Sequence, residues 1–249
     1  MEMSERKRLI LNAIVSEYIN TAEPVGSASI AKKYDAGCST ATIRNEMAEL
    51  EEWGYLDKPH TSAGRIPSVR GYRFYVNSMA PYALKEQERR RMREEFLEQM
   101  RDMENLIVAA SDFISRMTNY TVIASDCFED NPLKCVYTGG VGKIFDHPEY
   151  KNLERAKRLI SFMDKRDSLY RMISGFPENG VMRITIGDEN TDEDLKDSSV
   201  VIANYYNRDG RCGGLGIIGP TRMHYQKVVA SLGMVTEMLH FLIDKRRDE

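Results

Sequence analysis

Residues 39–67, STATIRNEMAELEEWGYLDKPHTSAGRIP, constrain this chain more than any other stretch. Ser39 is placed to cap a helix, its hydroxyl oxygen accepting from the backbone N–H of Ala41 or Thr42. Ile43, Met47 and Leu50 then recur at helical spacing and predict one buried stripe. Thr40, Thr42, Arg44 and Asn45 fall off that stripe, crowded near the helix N-terminus. Gly54, directly after Trp53, marks the stop. Tyr55-Leu56 opens a short strand, Ser62-Ala63-Gly64 turns it, and Arg65-Ile66 returns. A small β hairpin with a cation near its tip therefore follows the helix. Short hydroxyl, amide and guanidinium groups at the start of an exposed helix suit the base edges of a DNA major groove. A single polar-faced helix reads equally as ordinary surface, so the flanking segments decide.

Upstream, Ser4 caps a helix reaching about Asn20, with Ile10, Ile14 and Tyr18 on one face. Glu23-Pro24-Val25-Gly26 breaks it, and Ser27 caps a short second helix through Ile30, Ala31 and Tyr34. Asp35-Ala36-Gly37-Cys38 is the turn into the Ser39 helix. Two short helices joined by a tight Gly-containing turn predict a helix-turn-helix, and the hairpin extends it to a winged helix. Net charge is −3, so the chain is no general polyanion binder. Its cations are local: residues 58–80 hold Lys58, Arg65, Arg70 and Arg73 without an acid, and Arg6-Lys7-Arg8 forms a second cluster. A basic patch on a mildly acidic chain suits a selective DNA binder.

The remaining chain excludes more than it specifies. No apolar run reaches the length of a membrane span and no signal-peptide h-region opens the sequence, so a cytoplasmic protein is expected. Cys38, Cys127, Cys135 and Cys212 make no CxxC, and the four histidines have no ligand-spaced partners; neither zinc, disulfides nor a cofactor is expected. Residues 136–143, VYTGGVGK, lack the spacing of a phosphate loop, and Ile144 stands where Ser or Thr is required. His147 reads as a surface loop residue. With no nucleophile–base or metal constellation, no catalysis is expected.

After Pro81 the composition shifts to an amphipathic helix. Met92, Phe96, Met100, Met103 and Ile107 recur at helical spacing, and the pattern runs to about Tyr120 through Phe113, Ile114 and Met117. Such a Met-rich stripe packs either on its own domain or on a dimer partner, and the spacing leaves both open. Residues 121–131 carry no strong signal. A helix with Leu159, Ile160, Met163 and Leu169 follows. Strands are predicted at 181–186, 200–206 and 215–218, with Asn207-Arg208-Asp209-Gly210 as a turn. Thr221 is read as the cap of a last helix burying Val228, Leu232, Val235, Leu239 and Leu242. Three strands predict a thin sheet with an exposed edge. The fold class is α+β, with a winged helix-turn-helix at 1–80, an amphipathic linker or dimerisation helix at 81–120, and a second α+β domain at 121–249.

Several runs together resemble HrcA, the bacterial family of heat-inducible transcription repressors. They are Ser39-Thr40-Ala41-Thr42-Ile43-Arg44-Asn45-Glu46-Met47, Gly54-Tyr55-Leu56, residues 59–67 and Gly71-Tyr72-Arg73-Phe74-Tyr75-Val76. Ile186-Gly187-Asp188-Glu189-Asn190 and Ile218-Gly219-Pro220-Thr221-Arg222-Met223 join them near the C-terminus. The resemblance implies a homodimer that binds an inverted-repeat (CIRCE) operator in double-stranded DNA and represses chaperone operons of the groE and dnaK type, with the GroEL chaperonin as a modulating partner. It implies that Ser39, Thr40, Thr42, Arg44 and Asn45 lie on the recognition helix, and His60, Thr61, Ser62 and Arg65 on the wing, with Lys58 of the basic patch beside them. By side-chain geometry Arg44 is matched to guanine and Asn45 to adenine, unless Arg44 pairs with a neighbouring glutamate. The regulatory domain is implied to be GAF-like but shortened, because the family's long central stretch, with its dimerisation segment, is reduced here to residues 121–134. The family also carries an acid where His224 stands, expected three residues after the helix cap. Two further readings stay open: an interaction module that does not dimerise and binds DNA weakly, and a GAF-like small-molecule sensor.

Overall fold

Ser4 accepts a hydrogen bond from the Lys7 N–H at 3.3 Å and starts α1 (Glu5–Thr21), which buries Ile10, Leu11, Ile14 and Val15. The computed structural model describes residues 3–34, 38–60, 63–80, 85–100, 106–125, 136–174, 182–206 and 212–246. It divides into two units, Met1–Ala80 with Thr221–His224, and Pro81–Pro220 with Tyr225–Glu249.

In the first unit the chain leaves α1 through Ala22, whose N–H bonds the Tyr18 carbonyl, and Val25 forms an antiparallel bridge with Arg65. The two backbone hydrogen bonds of that bridge are 2.8 and 2.9 Å. α2 (Ser27–Lys33) starts straight from the bridge, so Gly26 is its N-cap and Ser27 already lies in the helix. The turn at 35–37 lies outside the described residues. α3 (Thr40–Glu52) is capped by Ser39 through the Thr42 N–H at 3.1 Å and buries Ile43, Met47 and Leu50, the stripe that the spacing predicts. β1 (Leu56–Asp57) and β2 (Ile66–Pro67) pair antiparallel. Two glycines are fixed here by close approach. A Cβ on Gly64 would sit 2.4 Å from the Val25 carbonyl, and one on Gly71 would sit 2.2 Å from the Tyr55 carbonyl oxygen. α4 (Val69–Ser78) is capped by Ser68 and carries Gly71 and Tyr72 inward.

Thr221–His224 belongs to this first unit. The Arg222 guanidinium donates to the Ile19 carbonyl at 3.0 Å, near the C-terminal end of α1, where the last carbonyls lack helical partners. Thr221 is therefore not a helix cap. The last helix, α9 (Tyr225–Arg246), begins after a turn, and His224 directly precedes it instead of standing in its first turn.

The second unit opens with α5 (Glu86–Met100) and α6 (Leu106–Thr118), two helices where the pattern predicts one. Residues 101–105, including Met103, lie outside the described residues. Met92, Phe96 and Met100 are buried, and Phe96 meets Phe113 of α6 edge-on at 5.2 Å. The Met-rich stripe is thus packed within its own chain.

Among the described residues five antiparallel strands, not three, form the sheet, in the order β4-β3-β7-β6-β5. They are β3 (Thr121–Ser125), β4 (Val136–Gly139), β5 (Arg183–Ile186), β6 (Ser198–Tyr206) and β7 (Cys212–Pro220). β3 lies between β4 and β7 and is buried along its whole length. A strand covered on both faces shows no polar alternation, which is why residues 121–125 carry no signal in sequence. Ile123, Val200, Ile202 and Ile218 face α7 (Leu153–Met163) and α8 (Arg166–Ser174) in one core. On the other face α9 and α6 cover the sheet, and Ser199 bonds the Tyr225 hydroxyl at 2.7 Å. The glycine-rich run at 136–143 is strand β4 turning into a 3-10 segment, Val141–Asp146. No helix among the described residues is long and apolar enough to cross a membrane.

Candidate nucleic-acid interface

The exposed side of α3 is built by subtraction. Ile43, Met47 and Leu50 fix the buried stripe, so Ala41, Arg44, Asn45 and Ala48 come out to solvent along one line. Arg44 and Asn45 are exposed, and Arg44 makes no ion pair with a glutamate of the described residues. Ser39 is exposed and Thr40 half-exposed. The Ser39 and Thr42 hydroxyls lie 3.0 Å apart, so both belong to the cap as well as to the surface. Ala41 and Ala48 are missed by a reading that seeks polar groups. Their spacing from Arg44 and Asn45 is the signal that finds them, and their small side chains leave the helix backbone open to close approach. Ala also suits a thymine methyl.

Residues 39–45 contain no acid, and the unpaired N–H groups of the helix start add partial positive charge. The first acids of α3 are held elsewhere. Lys7 of α1 reaches Glu46 at 2.5 Å and Glu49 at 2.9 Å, and its ammonium lies 5.3 Å from the centre of the Trp53 ring. The Glu46 hydrogen bond, then that of Glu49, holds the Lys7 ammonium above its ordinary pKa. The Arg6-Lys7-Arg8 run is therefore not a free basic cluster: Lys7 ties α1 to α3, and Arg6 stands 3.6 Å from Glu46. Because the folded-state pKa is raised, this tie is complete at neutral pH and is lost only as pH climbs past the folded value in the alkaline range. Lys7→Met is expected to lower the thermal midpoint of the first unit by a few degrees and to change the emission of Trp53. It is expected to leave the salt slope of DNA binding unchanged. A slope reduced by one charge would place Lys7 on phosphate instead.

On the hairpin, Lys58 and His60 are exposed beyond β1, and His60 accepts from the Ala63 N–H at 3.0 Å. Thr61 and Ser62 lie outside the described residues. Arg65 stands at the base of the hairpin, in the Val25 bridge, and not near its tip. Its Nε donates to Glu51 at 2.7 Å, and its side chain is only 15% exposed. Arg70 donates to the Trp53 carbonyl at 2.7 Å and stacks on Tyr55 at 4.4 Å. Two of the four cations of the predicted patch thus hold the unit together, while Lys58 remains exposed. Among the described residues, Ser39, Arg44, Asn45, Lys58 and His60 are the sequence-predicted groups that are exposed.

The second unit holds a cleft of about 540 Å³, lined in part by Arg171, Arg183, Thr185 and Asn190. Much of its polar lining is bonded within the chain: Thr185 to Asn190 at 2.6 Å, and the Ile186 N–H to Glu189 at 2.9 Å. Among the described residues no group of three His, Cys, Asp or Glu is placed to hold a metal ion.

Residues 78–229 match the family model described as the HrcA protein C terminal domain. The heat-inducible transcription repressor HrcA of Carboxydothermus hydrogenoformans is 30% identical over 340 aligned positions, covering 98% of this chain and 99% of the relative. That of Pelotomaculum thermopropionicum is 32% identical over 342 positions, covering 98% of each. Both alignments exceed the 249 residues of this chain, so these relatives carry residues with no counterpart in it. A crystal structure described as a hypothetical protein at 2.2 Å resolution superposes with a TM-score of 0.76 over 98% of this chain, at 18% identity, a likeness of fold.

Proposed function

Because the chain belongs to the HrcA family of heat-inducible transcription repressors, we propose that its first unit is a winged helix that reads an operator through α3. The α3 face enters the major groove, with Arg44 and Asn45 toward base edges and Ala41 and Ala48 flanking them. Ser39 and Thr40 lie at the helix start beside a phosphate, and Thr42 supports the Ser39 cap. The hairpin is the wing, where Lys58, His60, Thr61 and Ser62 meet the backbone of the duplex, and Arg65 braces it through Glu51. The observation that carries this reading is the acid-free, exposed N-terminal face of α3, with Lys58 exposed on the hairpin of the same unit.

In this reading the operator is an inverted repeat of the CIRCE type before groE and dnaK operons, bound by a homodimer, with GroEL as the modulating partner. A sheet helix-covered on both faces supports a GAF-like second unit, smaller than in the longer relatives. The test is fluorescence anisotropy of the full chain on an intact inverted repeat and a scrambled control across a salt series, with and without GroEL. The repressor reading expects preference for the repeat at physiological salt, increased by the chaperonin. Equal, salt-labile binding to both DNAs would leave only non-specific phosphate contact and reject operator reading.

A further inference from the structure

α5 and α9 flank a groove of about 160 Å³ whose floor is Leu97, Met234 and Met238. Met234 and Met238 lie deep, at 7% and 8% exposed, while Phe241 stands at the rim with 59% of its surface in solvent. The lining follows two helical stripes: Arg89, Arg93 and Leu97 on α5 at four-residue spacing, and Met234, Met238 and Phe241 on α9 with Glu237 beside them. A cavity of roughly 150 Å³ lined by apolar side chains takes up one benzene ring. The groove therefore has the volume of a phenyl group, and an exposed phenyl group stands at its edge.

We infer that this face is the interface between two copies of the chain, each inserting Phe241 into the groove of the other. The inference rests on the repressor reading only in giving that dimer a use. Self-complementarity selects a second copy as the occupant. A two-fold interface must present the same patch on both sides, and this one carries both a knob and a hole. Its charges match under the same operation: Arg89 and Arg93 stand on the α5 side and Glu237 on the α9 side, so rotation brings the arginines of one copy toward the glutamate of the other. The Arg89–Glu237 pair within one copy is loose, at 3.5 Å and largely exposed on both sides, and is free to exchange partners. Methionine suits the floor, because its thioether adapts to an aromatic ring and packs favourably against it. The Met92, Phe96 and Met100 stripe is already buried on α6 and offers no such surface.

Sedimentation equilibrium of the full chain, with Phe241→Ser and Glu237→Arg beside it, tests the inference. Phe241 and Glu237 are exposed, so both variants are expected to keep the wild-type circular dichroism and melting curve. The wild type is expected to dimerise. Phe241→Ser is expected to raise the dimer dissociation constant by about 30-fold or more, as loss of an aromatic anchor does. Glu237→Arg is expected to raise it several-fold, with recovery on adding Arg89→Glu. A wild type that stays monomeric, or a Phe241→Ser dissociation constant equal to the wild type's, overturns the inference. Anisotropy on half-site DNA separates this from failure of the repressor reading. A monomeric Phe241→Ser variant that prefers half-site over scrambled DNA as the wild type does leaves operator reading intact. Absence of preference in both proteins rejects operator reading, while sedimentation alone decides the dimer.

Discussion

Arg44→Ala is expected to lower the preference of the chain for an intact operator over a scrambled one by roughly tenfold to a hundredfold, with little change in affinity for the scrambled DNA. The size follows from a guanidinium that meets a base edge with two hydrogen bonds, worth about 1–3 kcal/mol of discrimination. The position follows from α3: Arg44 leaves the helix one turn beyond the Ser39 cap, between the exposed Ala41 and Ala48, without an acid holding it back. Lys58→Ala is the contrasting case. In the proposed reading Lys58 meets the duplex backbone from the hairpin, so its loss is expected to weaken all sequences alike and to reduce the salt slope by about one. Anisotropy on both DNAs over a salt series separates the two outcomes. If Arg44→Ala weakened both DNAs equally and flattened the salt slope, Arg44 would be a phosphate contact, and base reading would pass to Asn45 and its neighbours.

What sequence reveals of this molecule tracks how local the physics is. Ser4 and Ser39 cap their helices because a hydroxyl and an N–H three residues on are neighbours in any chain. The buried stripe Ile43, Met47 and Leu50 is legible for the same reason, and it fixes the outward direction of Arg44 and Asn45. β3 is hidden because both its faces are buried, which erases the apolar–polar alternation that the sequence shows at residues 182–186, around β5. Arg65 and Lys7 look like free cations because their partners come from other elements, Glu51 for one, Glu46 and Glu49 for the other. Thr221 looks like a cap because Gly219-Pro220 ends a strand before it. The helix is delayed to Tyr225 because Arg222 is drawn to the end of α1, a contact that no local pattern encodes.

Asn190→Ala is expected to be the most damaging single substitution in the second unit outside its apolar core. Asn190 is 5% exposed, and its side chain gathers the turn between β5 and β6. Its amide nitrogen donates to the carbonyls of Gly187, Leu195 and Ser198 at 2.9, 3.0 and 2.9 Å, and its oxygen accepts from the Thr185 hydroxyl at 2.6 Å. Two amide hydrogens thus serve three carbonyls, so one is shared. Truncation removes every one of these side-chain bonds and takes the amide from the carbonyls of the buried Leu195 and Ser198, while the Gly187 carbonyl keeps the Asn190 backbone N–H at 3.0 Å. An unsatisfied buried polar group costs about 1–3 kcal/mol, and several share this site, so a loss of about 3–4 kcal/mol is expected. Trp53 is the one tryptophan and reports on the first unit, so the transition should be followed by far-UV circular dichroism in urea. Asn190→Asp sharpens the test because it keeps the shape and turns the donor into an acceptor. Facing three carbonyls, the new carboxyl would have its folded-state pKa raised above the ordinary value of about 4. By linkage the variant is then best folded in acid and loses stability as pH rises past that ordinary value, opposite to a salt-bridged aspartate. An Asn190→Ala transition within 1 kcal/mol of the wild type, or an Asn190→Asp variant insensitive to pH, would mean that the strands hold this turn without the amide.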